Sequence, residues 1–172
     1  MDEVTNGLGV AAAAATAAAL TLDPERRTIV RASNRWVNGG YTRSQLSGGS
    51  YPADLPPALG GGGLGPSPTE LLLHALASCL SASVVLAATA RGAALVQVET
   101  DVEALVDLRP ALAEPSGDGA GIESVWVNCR VHAEAAPDAL TRLLEDACRR
   151  SLVLAALSAG VRVHLDHEVI TP

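Results

Sequence analysis

The sequence predicts an α+β fold in the order ββ-α-ββ-α-β, within a single domain of 172 residues. Three observations carry this expectation. Several stretches alternate apolar and polar residues and are rich in Val, Ile and Thr, as half-buried strands are. Two long stretches have helical character, one apolar almost all round and one apolar at helical spacing. Segments dominated by Gly, Pro and Ser separate them.

The elements follow in chain order. Residues 11–20 are an apolar, Ala-rich run preceded by Asp2 and Glu3. A signal peptide wants a positive start, so this run reads as a short helix within an N-terminal extension, residues 1–22. Residues 27–37 (RTIVRASNRWV) read as a strand, Asn38-Gly39-Gly40 as a turn, and residues 41–46 as the returning strand. Residues 47–67 read as a Gly/Pro loop. Residues 68–91 form the first long helix. Ser67 or Pro68 starts it, Glu70 lies at the positive end of its dipole, and Gly92 closes it. Being apolar nearly all round, it is expected to be central and buried. Residues 95–108 and 122–134 read as strands flanking a Pro/Gly loop, and Val125, Val127, Cys129, Val131 and Ala133 share one face of the second. Residues 137–159 read as one continuous helix with Gly160 as its stop, and residues 161–169 as a final strand.

Composition narrows the function classes. Hydrophobic residues make up 48% of the chain but aromatics only 2%, with no Phe, so the core is built from Ala, Leu and Val. Small side chains bury little area each, and association of subunits would add to it. The net charge is −7, and no basic run is interleaved with aromatics, which argues against a nucleic-acid partner. The longest charge-free apolar stretch, residues 75–90, has 16 residues and three serines. A membrane span takes about 20, so no membrane partner is expected. Cys79, Cys129 and Cys148 are too few and too scattered for a disulfide scaffold, and none forms a CxxC pair. His164 and His167 fall on opposite faces of the last strand and His132 on a polar face. No metal site and no cofactor are implied. A reduced, cytoplasmic setting is the default.

The most informative stretch is residues 65–79, GPSPTELLLHALASC: a turn, a helix start, and an apolar helix carrying one thiol. On a regular helix the face-mates of Cys79 are Leu72, Ala75, Leu76, Ala82, Ser83 and Leu86. Apolar burial raises a thiol above its usual ~8.5 and makes it inert. Cys79 is therefore either a small core residue or a nucleophile activated by a cation brought from elsewhere in the fold.

This stretch resembles the signature helix of the OsmC/Ohr family, the osmotically inducible protein C and organic hydroperoxide resistance proteins. RASNRWVNGGYTRS (31–44), ALGGGGLGPSP (58–68) and RRSLVLAALSAGVRVHLDHEV (149–169) match the pattern of OsmC-like proteins in order and spacing. NGLGV (6–10) and the Ala-rich run resemble a subgroup with an extra N-terminal helix. The resemblance implies an intertwined homodimer with two central helices wrapped by sheets. It also implies a chemistry in which the helix thiolate attacks a hydroperoxide, becomes a sulfenic acid and condenses with a second cysteine. A reductant thiol then restores the site, and an arginine and a glutamate hold the thiolate reactive.

Carried over residue by residue, Cys79 takes the peroxidatic position. Arg43, in the GGYTRS segment, is the candidate cation, with Arg35 as competitor; either is otherwise a solvated strand arginine. The family's glutamate precedes the cysteine by ten residues, where this chain has Thr69. Glu70 is nine before Cys79, about 900° around the helix and so on its opposite side. Glu70 then serves the helix dipole or a salt bridge instead. The resolving position, ten before Val161, holds Ser151. Cys148 lies one turn earlier on the same face and is the remaining candidate to resolve Cys79, provided the Cα atoms come within ~7 Å; otherwise it is a core cysteine. Cys129, alternating with valines, reads as core. His74, about 140° from Cys79 around the helix, is not an obvious base.

Three readings result. One is a thiol-dependent hydroperoxide reductase in oxidative-stress defence, a homodimer using Cys79, with Cys148, Arg43 and Glu70 as supporting candidates. Its partners are a small hydroperoxide and an external thiol reductant. Another is a non-catalytic OsmC-like protein that binds a small apolar ligand at the dimer interface. The third is a peroxidase that skips the internal disulfide and is reduced directly by an outside thiol.

Overall fold

The computed structural model describes residues 4–11, 14–15, 27–109 and 121–159. The final strand with His164 and His167, the Gly160 stop, and most of the loop before Gly121 lie outside the described residues. So does most of the N-terminal extension, of which residues 10–11 and 14–15 are helical.

The architecture is mixed α+β, as expected, and three local departures shape the site. The first is a short hairpin, β1 (Val4–Thr5) with β2 (Leu8–Gly9), ahead of the Ala-rich run. Asn6 turns it at φ +55°, a left-handed conformation that Asn tolerates. The Asn6 amide nitrogen donates to Thr89 Oγ1 (3.2 Å) and the Ala93 carbonyl (3.0 Å), and its oxygen accepts from Leu95 N–H (2.8 Å). The hairpin is thereby fastened to the end of the first long helix.

The second departure lies in residues 47–67, read as loop throughout. β3 (Ser33–Asn38) and β4 (Tyr41–Leu46) form the expected hairpin, although β3 begins only at Ser33 and residues 27–32 are not strand, and a third strand, β5 (Gly49–Ala53), adds to β4 antiparallel. β-pairing along a strand edge overrides the weak strand preference of Gly and Pro there. The remainder of the segment is held by Asp54, which is 2% exposed. Its carboxylate accepts from the N–H groups of Leu55 (2.8 Å), Gly62 (3.1 Å) and Leu64 (3.0 Å). Gly61 passes so close to Leu55 that a Cβ there would run into the Leu55 carbonyl. This pinned loop delivers Ser67 to the start of α1 (Pro68–Thr89).

β6 (Leu95–Val106) and β7 (Ile122–Ala133) form a long antiparallel hairpin. Its inner face covers one side of α1, and α2 (Pro137–Arg150) covers the adjoining side. Val84, Ala87 and Ala88 of α1 meet Leu143 and Ala147 of α2, with Leu95, Val98, Cys129 and Val131 packed around them. Cys129 is thus a core residue whose sulfur accepts from Thr100 Oγ1 at 3.6 Å. The expectation that α1 is buried all round does not hold within one chain. Ala75, Ala82 and Leu86 on the opposite side are exposed. By length and composition α1 would also pass for a membrane span; it packs here as the central helix of the domain.

The third departure is a break. Residues 137–159, read as one helix, are two: α2 ends at Arg150 and α3 (Leu152–Ala159) begins after a single extended residue, Ser151, at φ −72° and ψ 110°. Neither Gly nor Pro marks the break. Arg149 and Arg150 favour a helix C-terminus and Ser151 a helix N-cap, and these end preferences interrupt an otherwise continuous apolar pattern.

Candidate active site

Cys79 lies on α1 at the border between its buried and exposed sides. The helix is locked at its start by a reciprocal cap. Ser67 Oγ accepts from Glu70 N–H (3.2 Å), and the Glu70 carboxylate accepts from Ser67 N–H (2.7 Å). That hydrogen bond from the backbone holds Glu70 below the usual carboxylate range. Glu70 therefore works at the helix terminus, well away from the thiol.

What meets Cys79 is the α2–α3 break. Ser151 is fully buried (0% exposed), and its hydroxyl donates to Cys79 Sγ at 3.3 Å. The same oxygen accepts from Leu154 N–H at 3.4 Å, three residues into the new helix. An N-capping serine with its lone pair engaged in this way has its proton left for the sulfur. The backbone N–H groups of Leu152 and Val153 also act on the thiol, lowering its pKa. These are donors that a helix N-terminus leaves without intrahelical partners. Cys79 thus completes the cap of α3.

Two effects on the thiol oppose each other. Desolvation raises its pKa and is the largest single influence; the hydrogen bonds from Ser151, Val153 and Leu152 lower it, and together they prevail, leaving the thiol below its ordinary value. The α3 dipole adds in the same direction, since its positive end faces the sulfur. Sequence reasoning sought a cation for Cys79; the fold supplies backbone donors and a hydroxyl. The detectable signal was the Arg-Arg-Ser run, a helix end followed by an N-cap.

The break is carried to Cys79 by α2, whose last turns are clamped to the turn after α1. Asp146 meets Arg91 at 2.6 Å, Arg150 at 2.9 Å and Arg149 at 3.4 Å. Arg91 also donates to the Ala87 carbonyl at 3.0 Å.

The other sequence candidates lie elsewhere. Arg43 is exposed in the middle of the β3–β4–β5 sheet, opposite Arg35 and Pro52, and its Nε donates to the Tyr41 hydroxyl at 3.2 Å. Cys148 is exposed, a free thiol like Cys79 and Cys129, and the contact with Cys79 is made by Ser151 in its stead. His74 Nε2 lies 3.3 Å from Ser78 Oγ, one turn along α1 on its exposed side. No group of side chains among the described residues is arranged to hold a metal ion.

A cleft of about 370 Å³ with mixed polar and apolar walls lies between α1, β7 and α3, its polar side chains being Glu123, Ser124 and Ser158. Leu72 and Leu76 line it from α1, Val125 and Val127 from β7, and Leu154 and Leu157 from α3. Leu76 is one helical turn from Cys79 and Leu154 one turn from Ser151, while neither Cys79 nor Ser151 lines the cleft itself.

Residues 60–166 match the family model described as OsmC-like protein. The fold is similar to that of an OsmC-like protein from Mycoplasma pneumoniae, with TM-score 0.67 and 14% identity, covering 78% of this chain and 91% of that one. It is similar to an OsmC-like protein of unknown function from Vibrio cholerae, with TM-score 0.63 and 12% identity, covering 76% and 94%. It is also similar to the organic hydroperoxide resistance protein OsmC from Legionella pneumophila, with TM-score 0.55 and 16% identity, covering 76% and 91%. At these identities the structures share a fold and nothing finer. No curated protein sequence matches the chain. Since the family match spans more than half of the sequence and the fold agrees with it, this protein belongs to the OsmC-like family.

Proposed function

We propose that this protein is a thiol-dependent reductase of organic hydroperoxides with Cys79 as the nucleophile. The observation that carries the reading is the seating of Cys79 Sγ on the N-terminus of α3, with the Ser151 hydroxyl 3.3 Å away. A sulfur that accepts from a buried hydroxyl and is stabilised as an anion by the backbone N–H groups of Val153 and Leu152 is prepared to be a thiolate, which is the reactive form. The thiolate attacks the distal peroxide oxygen. The S–O bond forms, the O–O bond breaks, and the electron pair leaves on the alkoxide, which takes a proton to become an alcohol. Sulfur is oxidised to the sulfenic acid and the peroxide is reduced by two electrons. The leucine and valine side chains of the cleft suit the hydrocarbon part of such a substrate.

The same reading takes the protein as a cytoplasmic homodimer, where reduced thiols are at hand. In a single chain the β3–β4–β5 sheet and the segment leading into it are bare, with Trp36 of β3 at 67% and Val30 ahead of it at 89% exposed. Leu152, next to the site, is 80% exposed. A second copy covering these surfaces would also give Arg43 access to a thiol that it does not meet within its own chain.

The test is consumption of cumene hydroperoxide with several thiol reductants by the wild type, Cys79→Ser and Cys148→Ser. Turnover abolished in Cys79→Ser supports the proposal; no turnover by the wild type with any reductant rejects it. The second reading, a binding protein for a small apolar ligand, draws on the same cleft. It would be supported by tight binding of cumyl alcohol by a wild type that leaves the peroxide intact.

A further inference from the structure

We infer that Ser151 is the positioning residue of this site: capping α3, it aims the helix N-terminus and its own hydroxyl at Cys79, and it stands where a second thiol would have to stand to close an internal disulfide. The inference rests on the peroxidase reading and adds how the nucleophile is activated and how the cycle is completed.

The geometry leaves Ser151 little freedom. It is fully buried, in the one extended residue between two helices, accepting from Leu154 N–H and donating to Cys79. The residue that faces the sulfur is therefore one that neither oxidises nor forms a disulfide. The nearest thiol in sequence, Cys148, is on the exposed side of α2. Oxidised Cys79 must then be resolved from outside. A low-molecular-weight or protein thiolate attacks the sulfenic sulfur, the S–S bond forms, and hydroxide leaves to become water. A second external thiol attacks that mixed disulfide, releasing Cys79 as thiolate and the external pair as a disulfide. The Ser151 hydroxyl and the two N–H groups serve the departing Cys79 sulfur in this last step as they serve it at rest, because the charge develops on the same atom.

The test uses Ser151→Gly, Ser151→Thr and Ser151→Cys in the full chain. Glycine is nearly as good an N-cap but has no hydroxyl, so it removes the donor while keeping the break. Thiolate absorbance at 240 nm, followed against pH and assigned to Cys79 by subtracting Cys79→Ser, should titrate about one pH unit higher in Ser151→Gly, as expected for loss of one hydrogen bond to a charged group. Ser151→Thr should restore the wild-type titration. On treatment with one equivalent of hydroperoxide and then thiol, the wild type should give a mixed disulfide on Cys79 in peptide mass maps. Ser151→Cys should instead give an internal link between Cys79 and the introduced thiol, because the side-chain atom at that position is already 3.3 Å from Sγ. An unchanged titration in Ser151→Gly, or a Cys79–Cys148 link in the oxidised wild type, would overturn the inference. The titration and a diamide-driven disulfide in Ser151→Cys need no peroxide turnover. If they behave as expected while the wild type ignores hydroperoxide, the peroxidase reading fails and the positioning role of Ser151 stands.

Discussion

Removing the Asp54 carboxylate is the sharpest test of how the site is assembled. Asp54 is buried, and its oxygens accept three backbone N–H groups. The bond from Leu55 joins sequence neighbours and survives in part in the unfolded chain. The bonds from Gly62 and Leu64 close an eight- to ten-residue loop and exist only in the fold. Hydrogen bonds to a charged group contribute about 1.5–3 kcal/mol each, so Asp54→Ala should cost at least ~3 kcal/mol. For a chain of 172 residues, with ~2–4 °C of melting temperature per kcal/mol, the expected fall is about 6–12 °C. Asp54→Asn keeps one acceptor oxygen, which can still take both the Gly62 and Leu64 N–H groups, and should lose less. Circular dichroism melts give the total. Amide exchange at Gly62 and Leu64 should accelerate first, since the loop opens before the helices do. A melting temperature within about 2 °C of wild type in Asp54→Ala, with those amides still protected, would refute the account of the loop as a carboxylate-centred clamp that fixes Ser67 and hence the start of α1.

Three further outcomes follow from the same contacts. Leu143→Ala, in the α1–α2 core beside Val84 and Ala88, should destabilise by ~3 kcal/mol in urea unfolding, with the slope unchanged. Asp146 is held down at about 2, first by the hydrogen bond from Arg91 and then by that from Arg150. Because its folded pKa is depressed, its contribution is present above its ordinary carboxylate value and fades as pH falls from about 4 towards 2. Urea midpoints measured at pH 5 and pH 2.5 should therefore converge in Asp146→Asn relative to wild type. Asn6→Gly keeps the left-handed turn but removes three hydrogen bonds to α1 and β6. The N-terminal hairpin should then be cleaved by a dilute protease before the rest of the domain, whereas the wild type should not show this early fragment.

The path of the chain was largely legible in its sequence. Alternation placed β6 and β7 to within two residues, since one face of each must reach the core and the other water. The start of α1 was legible too: Ser67, Pro68 and Glu70 are local signals whose partners lie within one turn. β5 was missed because its stability comes from pairing with β4, which a Gly- and Pro-rich segment does not advertise. The break at Ser151 was missed because an apolar periodicity running through it outweighed a single N-cap residue.

For the site, the sequence by itself determined that Cys79 lies on α1, that position 151 is a serine and that Glu70 is turned away from Cys79, because each depends only on residue identity and spacing along one helix or one segment. Tertiary structure alone decided what Cys79 meets. The effect of burial on a thiol is set by the donors around it, and those donors come from residues more than seventy positions away, on a helix end that the packing of α2 against α1 brings to Cys79. Backbone N–H groups belong to every residue and leave no mark in a sequence, so only the fold could show that they converge on this sulfur.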